Sequence, residues 1–374
     1  MNIPVAQEQE PLSIMRSILQ RIATGPELSK DITQEEARLG MRYILEGKVD
    51  PVQAAIFLIA LRMKRETDEE NLGVYDGIRD VTQFASAPVD EVMDVADPYD
   101  GYNRSLPSSP FLPALLAECG VAAVTHGVER VGPKYGVTHR QVLRAAGAPV
   151  DLTVEEAAAR LGDAHIGWAY VDQKAFCPRL HGLIDFRSLI VKRPAITTVE
   201  TMVGPVRGRR KTHIMTGYVH KPYARIYALL ARHAGFDSAL IVRGVEGGVI
   251  PSLRQAGKVF YYHDKGEEQS LELNPLDLGI DQPLRATPLP ASMLRQDDAG
   301  NDMVPEFDAA VAAQAAAVAG LDALAGKPGP TRDGLIYAAA LCLWHLKRYP
   351  SINAAAAVAR HVLDSGKARA RIQH

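Results

Sequence analysis

Apolar positions recur at helical spacing from Ser13 to Asn71, then give way to short apolar runs divided by polar loops. That change of period predicts a helical unit followed by an α/β unit. Thr33 with Glu36 three residues on is a capping-box signature for the helix EEARLGMRYILEG, which Gly47 closes. Asp50-Pro51 opens a second helix, VQAAIFLIALRMKRE. It is apolar around most of its circumference, so it should supply core and a subunit contact. Thr67 and Glu70 repeat the capping signature before a helix over 70–83, and Thr153 and Glu156 cap TVEEAAARL. Strands are expected at Val92–Ala96, Val121–Val124, Thr212–Gly217 and Ser238–Val242, with a strand pair inside Lys258–Leu273. Helices are expected at Phe111–Cys119, Pro222–Ala234 and Ala309–Leu324.

The first strand feeds a polar loop, Asp97–Pro110, which leads into the helix from Phe111. Free backbone N–H groups and the positive end of a helix dipole make such a junction an anion site. The strand Val121–Val124 ends in Thr125-His126-Gly127, so its loop should emerge beside the first at the carboxyl edge of a parallel sheet. Asn103, Arg104, Ser105, Ser108, His126, Arg130 and Lys134 would then converge on one crevice. A plain solvated connection is the alternative reading, because Gly101 stands alone between Asp97 and Pro110 where a phosphate cradle would carry several glycines.

Composition narrows the class. The 374 residues suffice for one large domain or two smaller ones, and 47% hydrophobic with 23% charged residues is ordinary for a globular protein. A net charge of −2 gives no global attraction to nucleic acid or anionic membrane. Cys119, Cys177 and Cys342 are scattered in apolar text and read as buried thiols of a reducing compartment, not as a disulfide set or zinc site. The polar, acidic start MNIPVAQEQEP is unlike a signal peptide, and no apolar run reaches the roughly 18 residues of a membrane span. A cytoplasmic protein is expected. The stretch Gln296–Val304 reads as a flexible polar link, with Asp297, Asp298, Gly300 and Asn301 at incomplete spacing for a calcium loop.

Five segments carry a family likeness: ITQEEARLGMRYILEGKVDPVQAAIFLIALRMKRETDEE, VTHGVERVGPKYG, LELNPLDLGI, GKPGPTRDGLIYAAAL and ARHVLDSGKA. In order and spacing together the chain resembles the anthranilate phosphoribosyltransferases and their glycosyltransferase family 3 relatives, the pyrimidine nucleoside phosphorylases. The resemblance implies a helical domain built from residues 1–88 and 151–205. It implies an α/β domain with a mainly parallel sheet from 89–150 and 206–374, and a homodimer joined through the helical domain. It also implies transfer from a phosphoribosyl or ribosyl donor, with phosphoribosyl pyrophosphate as the candidate substrate and magnesium as the candidate metal, to an aromatic acceptor. Carried over position by position, Asn103, Arg104, Ser109, His126, Gly127, Arg130, Lys134 and Gly136 would hold the donor. Arg187 and Arg193, six apart as two family arginines are, would meet the acceptor, and a guanidinium suits a carboxylate through two parallel charge-assisted bonds.

The chain departs from that pattern at two places. Asp97-Pro98-Tyr99-Asp100-Gly101 stands where the family has Gly-Thr-Gly-Gly-Asp, which should bar close backbone approach and set negative charge beside a pyrophosphate. Arg243-Gly244 replaces a His-Gly, and Gly248-Val249 falls where an Asp-Glu pair would hold magnesium, leaving only Glu246 nearby. One carboxylate is a poor magnesium cage. This text is similar to a divergent branch of the family, some of whose members bind DNA or RNA. A nucleic-acid or nucleotide binder is therefore the alternative function, with Arg104, Arg207, Arg209, Arg210, Lys211 and Arg243 as its contacts and affinity falling as salt rises.

Overall fold

The structure is a computed structural model that describes residues 5–25, 27–293 and 307–372, so the polar link expected at 296–304 lies outside the described residues. Four helices lead the chain: α1 (Val5–Ile22), α2 (Gln34–Leu45), α3 (Pro51–Lys64) and α4 (Asp68–Arg79). The capping boxes of Thr33 with Glu36 and Thr67 with Glu70 are both formed, and Asp50 caps α3 through the Val52 N–H. Helices α2 and α4 touch almost backbone to backbone because α4 carries glycines one turn apart. A methyl group on Gly73 would stand 2.2 Å from the Gln34 carbonyl oxygen, and one on Gly77 2.8 Å from that of Arg38. On α3 the residues Val52, Ile56 and Met63 remain exposed on the outer side.

The strands follow: β1 (Ala85–Ser86), β2 (Glu91–Ala96), β3 (Ala123–Gly127), β4 (Trp168–Asp172), β5 (Val206–Arg207), β6 (Lys211–Gly217), β7 (Ser238–Val242), β8 (Gly257–Tyr262) and β9 (Gln269–Leu273). Seven of them form one sheet in the order β4-β3-β2-β6-β7-β8-β9, parallel as far as β7 and antiparallel beyond, while β1 and β5 pair separately. This is the α/β arrangement with a mainly parallel sheet that the sequence predicts. Side chains alternate between two cores, as the pleat requires. Val92, Ala96, Val124, Ile214 and Ile241 face the leading helices and the helix Pro222–His233. Met93, Val95, Ala123, Met215 and Val242 face α5 (Leu112–Glu118) and the late helices Ala309–Leu324 and Pro330–His345.

Two boundaries differ from expectation. Strand β3 begins two residues late and takes His126 and Gly127 into its own buried ladder, opposite Val171 and Asp172. The stretch 151–205, read as helical, supplies β4 to the edge of the sheet after the capped helix Val154–Leu161. All three cysteines are free thiols. No helix among the described residues is long and apolar enough to cross a membrane.

The chain runs outward from β2 to β3 and β4, then returns to β6 and β7 on the other side of β2. Beyond the carboxyl ends of β2 and β6 the connections diverge and leave a crevice, the usual ligand position in parallel sheets.

Candidate functional site

The crevice is a cleft of about 720 Å³. One wall is the loop after β2, the next is the loop around Lys134, and the far wall is the text after β6. The first two loops are joined. Tyr102 and Val137 exchange backbone hydrogen bonds at 3.0 and 2.7 Å, and Gly136 donates to the Asp100 carbonyl at 2.9 Å. Gly101 (φ 72) and Gly136 permit this approach, since a methyl group on Gly136 would sit 2.4 Å from the Tyr102 nitrogen. The side-by-side loops expected from the sequence are therefore present.

Their side chains point elsewhere than expected. Asp97 turns its carboxylate inward, 1% exposed, and leaves the cleft only its flank. Its Oδ2 accepts from Tyr102 Oη at 2.6 Å, Ser109 Oγ at 2.7 Å and His139 Nε2 at 2.8 Å, and its Oδ1 accepts from the Val249 N–H at 2.8 Å. The opposite ring nitrogen of His139 meets Thr125 Oγ1 at 2.9 Å, and that hydroxyl already donates to the Val95 carbonyl, so both imidazole nitrogens face acceptors. Burial alone would raise the Asp97 carboxyl, but the charge and hydrogen bond of His139, with the two hydroxyls, hold it below the ordinary carboxylate range. Asp97 thus ties together the loop after β2, the start of the helix His139–Ala145 and the turn after β7, and its charge is neutralised within the protein.

Tyr99 lines the cleft with its flank and sends its hydroxyl back to His126 Nδ1 at 2.6 Å. His126 Nε2 lies 2.9 Å from Asp94 Oδ1 in the floor of the sheet. Sequestered from solvent, the Tyr99 phenol is raised well above its usual range, chiefly by burial. His126 is 1% exposed and lies behind Tyr99, so the donor contact expected of it is corrected: it anchors a tyrosine. Ser109 is likewise committed to Asp97 and His139, and Gly127 is buried in β3. Ser105 and Ser108 are buried, and Ser108 opens on a separate small recess. The Arg130 guanidinium lies over the Tyr135 ring, 4.7 Å from its centre, outside the cleft lining.

Asn103, Arg104 and Lys134 do line the cleft, together with Glu246. The Glu246 carboxylate accepts from the Asn103 N–H at 3.1 Å, the Arg104 N–H at 3.0 Å, Ser105 Oγ at 2.8 Å and Lys134 Nζ at 2.7 Å. Burial works against its charge, yet Lys134, with the Asn103 N–H and the Ser105 hydroxyl, keeps the carboxyl below its ordinary range. Glu246 is therefore no open magnesium ligand. The two residues that follow it are Gly247 and Gly248, and among the described residues no group of three or more His, Cys, Asp or Glu is placed to hold a metal ion. The donor set present does not fit a protein-held magnesium, for which several oxygen ligands are needed.

Of the two arginines assigned to the acceptor, one reaches the cleft. Arg193 lines it and holds Asp100 Oδ2 at 2.7 Å. Arg187 does not: its side chain is 1% exposed and forms a two-point ion pair with Glu200 at 2.8 and 2.7 Å. Glu200 occupies both terminal nitrogens and the whole guanidinium is buried away from the cleft lining, which corrects the acceptor role.

The far wall was missed by sequence reasoning. Tyr218, His220, Tyr223 and Tyr227 come from the end of β6 and the helix Pro222–His233, and Arg62 of α3 donates to Tyr223 Oη at 2.6 Å and Thr198 Oγ1 at 2.8 Å. Tyr223 and Tyr227 sit one turn apart on one helix face, with ring centres 6.0 Å apart. The run YVHKPYARIY carried that signal, since tyrosines beyond a strand's carboxyl end are poor core material unless they face a ligand or a partner.

The basic cluster does not form one surface. The Arg207 guanidinium is folded over the Phe236 ring at 4.1 Å and donates to the Val203 carbonyl. Arg209, Arg210 and Lys211 lie at the amino-terminal end of β6, across the sheet from the cleft, while Arg243 is exposed at the carboxyl end of β7. At that amino-terminal edge Arg210 faces Asp90 at 3.8 Å, Lys211 faces Asp264 at 3.0 Å and Arg348 faces Glu91 at 2.6 Å. Acids alternating with bases make no cationic track for a phosphate backbone.

The helical bundle domain of the glycosyl transferase family matches residues 16–81. An uncharacterized protein of Aquifex aeolicus is 30% identical over 273 residues, covering 73% of this chain and 80% of that protein. An anthranilate phosphoribosyltransferase of Rhodopseudomonas palustris is 27% identical over 359 residues, 96% of each chain. Among solved structures, anthranilate phosphoribosyltransferase from Thermus thermophilus superposes with a TM-score of 0.69 at 19% identity over 96% of this chain and 97% of that one. The Saccharomyces cerevisiae enzyme in complex with PRPP and Mg superposes with a TM-score of 0.74 at 15% identity over 97% and 96%. The chain belongs to the anthranilate phosphoribosyltransferase-like family of the glycosyltransferase and nucleoside phosphorylase superfamily.

Proposed function

We propose that the protein is a phosphoribosyltransferase-type glycosyltransferase that moves the phosphoribosyl group of phosphoribosyl pyrophosphate onto an aromatic acceptor. The observation that carries this reading is a single cleft at the sheet's switch point with anion-handling loops on one wall and tyrosines on the other. Full-length likeness to anthranilate phosphoribosyltransferases supports it.

In this reaction the bond between ribose C1 and the pyrophosphate oxygen breaks, the oxygen departs with the electron pair, and the acceptor's lone pair forms the new bond to C1. The protein's part is placement and charge. Lys134, with the Asn103 and Arg104 backbone, faces the phosphates. Tyr223 and Tyr227 offer flat faces to the acceptor ring. Arg193 is the cation exposed to an acceptor carboxylate, and Arg62 positions Tyr223 by its hydrogen bond.

Pyrophosphate release from phosphoribosyl pyrophosphate, measured across a panel of aromatic amines, aromatic carboxylates and nucleobases, tests the reading. Turnover with at least one acceptor, cut at least tenfold in Tyr223→Ala through a raised acceptor KM, is expected. No release with any acceptor at millimolar donor would contradict it.

A further inference from the structure

Glu246 does not look like a residue waiting for a metal. It sits where a ligand's anion would. Two successive backbone N–H groups, Asn103 and Arg104, converge on it with one hydroxyl and one ammonium group. Successive amides aimed at one point form an anion-binding concavity whatever fills it. Each carboxylate oxygen takes two donors: Oε1 from Arg104 and Ser105, Oε2 from Asn103 and Lys134. Two oxygens of a phosphoryl group would take the same four.

The backbone bears out a purpose-built position. Glu246 has φ 54 and ψ 17, a left-handed conformation that side chains other than glycine seldom adopt, and it is flanked by Gly244, Gly247 (φ 88) and Gly248. That geometry swings the side chain out of the turn after β7 and across to a loop 143 residues earlier. The cavity wall includes both Glu246 and Lys134, so an entering anion meets the ion pair they form and finds the ammonium already taken.

We propose that Glu246 is an internal occupant of a phosphoryl subsite, and that this protein accepts a phosphate or pyrophosphate group there only by displacing its own carboxylate. The subsite belongs to the cleft assigned above, and the inference rests on that reading only for the identity of the full substrate. Binding of a bare phosphoryl anion requires no turnover. A ligand with two negative charges outcompetes the single charge of Glu246 for Lys134, whereas a singly charged or neutral group does not.

The test is calorimetric titration of the full chain with inorganic pyrophosphate at fixed ionic strength, in wild type, Glu246→Ala and Glu246→Ala/Lys134→Ala. Removal of the carboxylate is expected to tighten pyrophosphate binding at least tenfold, and removal of Lys134 as well should abolish the gain. Because Glu246 bridges two loops, Glu246→Ala should melt at a lower temperature than wild type. Pyrophosphate should restore that loss, while sodium chloride at equal ionic strength should not. Equal affinity in wild type and Glu246→Ala, a gain that survives loss of Lys134, or an alanine variant that pyrophosphate fails to rescue would overturn the proposal. Tightened pyrophosphate binding without any transfer activity would leave the plug standing and remove the proposed reaction, and the reverse pattern would do the opposite.

Discussion

Replacing Asp97 by alanine is expected to lower the folding stability by about 3–5 kcal/mol, the range for breaking a buried charged pair, seen as a fall in the denaturant midpoint. The size follows from what is left behind. Tyr102 and the Val249 N–H lose their acceptor, and Ser109 Oγ and His139 Nε2 keep only each other, in a place that water does not reach. The pH dependence has a definite sign. The carboxyl is depressed in the folded protein, so its contribution is complete above the unfolded value of about 3.9 and disappears as pH falls through the lower folded value. Wild type should therefore lose stability below about pH 4 more steeply than Asp97→Ala, whose acid limb should be flatter. An alanine variant as stable as wild type, with an unchanged acid limb, would show that Asp97 is not the clamp described.

The second large effect concerns Arg187. Arg187→Ala leaves the Glu200 carboxylate buried without its partner and is expected to cost about 3–5 kcal/mol, as is Glu200→Ala. The double replacement Arg187→Met/Glu200→Leu should cost much less than the sum, because an apolar pair removes both desolvated charges together. Gln173 Nε2, which donates to Glu200 at 3.2 Å, would then lose one acceptor, a smaller penalty. If Arg187 instead met an acceptor carboxylate, Arg187→Ala would fold with near wild-type stability and show only a raised acceptor KM. Urea titration of the four proteins separates the two cases.

Much of the frame was readable from periodicity. Capping boxes at Thr33, Thr67 and Thr153 formed because each threonine has its glutamate three residues on, a purely local condition. The strands before and after the crevice were readable for the same reason. Side-chain direction in loops was not. Spacing places Asp97, Tyr99 and Ser109 on the right loop, but whether each turns to the cleft or to the interior depends on His139, His126 and Val249, brought near only by the sheet order. The Arg187 pairing with Glu200 spans a bend that no spacing rule describes, and the Glu246 bonds join loops that are far apart along the chain. The tyrosine wall was visible as text but read as a helix and no more.

The departure of Asp97-Pro98-Tyr99-Asp100-Gly101 from a glycine-rich loop takes on a physical sense in this light. Of its two acidic residues, Asp97 does not repel a ligand because four internal donors have already neutralised it, and Asp100 is paired with Arg193; its tyrosine supplies cleft wall while the phenol hydroxyl is spent on His126. What these residues remove is the loop's own close backbone approach, which leaves anion handling to the Asn103, Arg104 and Lys134 donors that Glu246 occupies.

Amide hydrogen exchange with and without saturating phosphoribosyl pyrophosphate tests the placement of the site most directly. The structure predicts slower exchange in residues 97–105, 132–136 and 243–249, with no change in residues 207–211 at the opposite edge of the sheet. Protection confined to 207–211, or no change in any of the three loops, would contradict it.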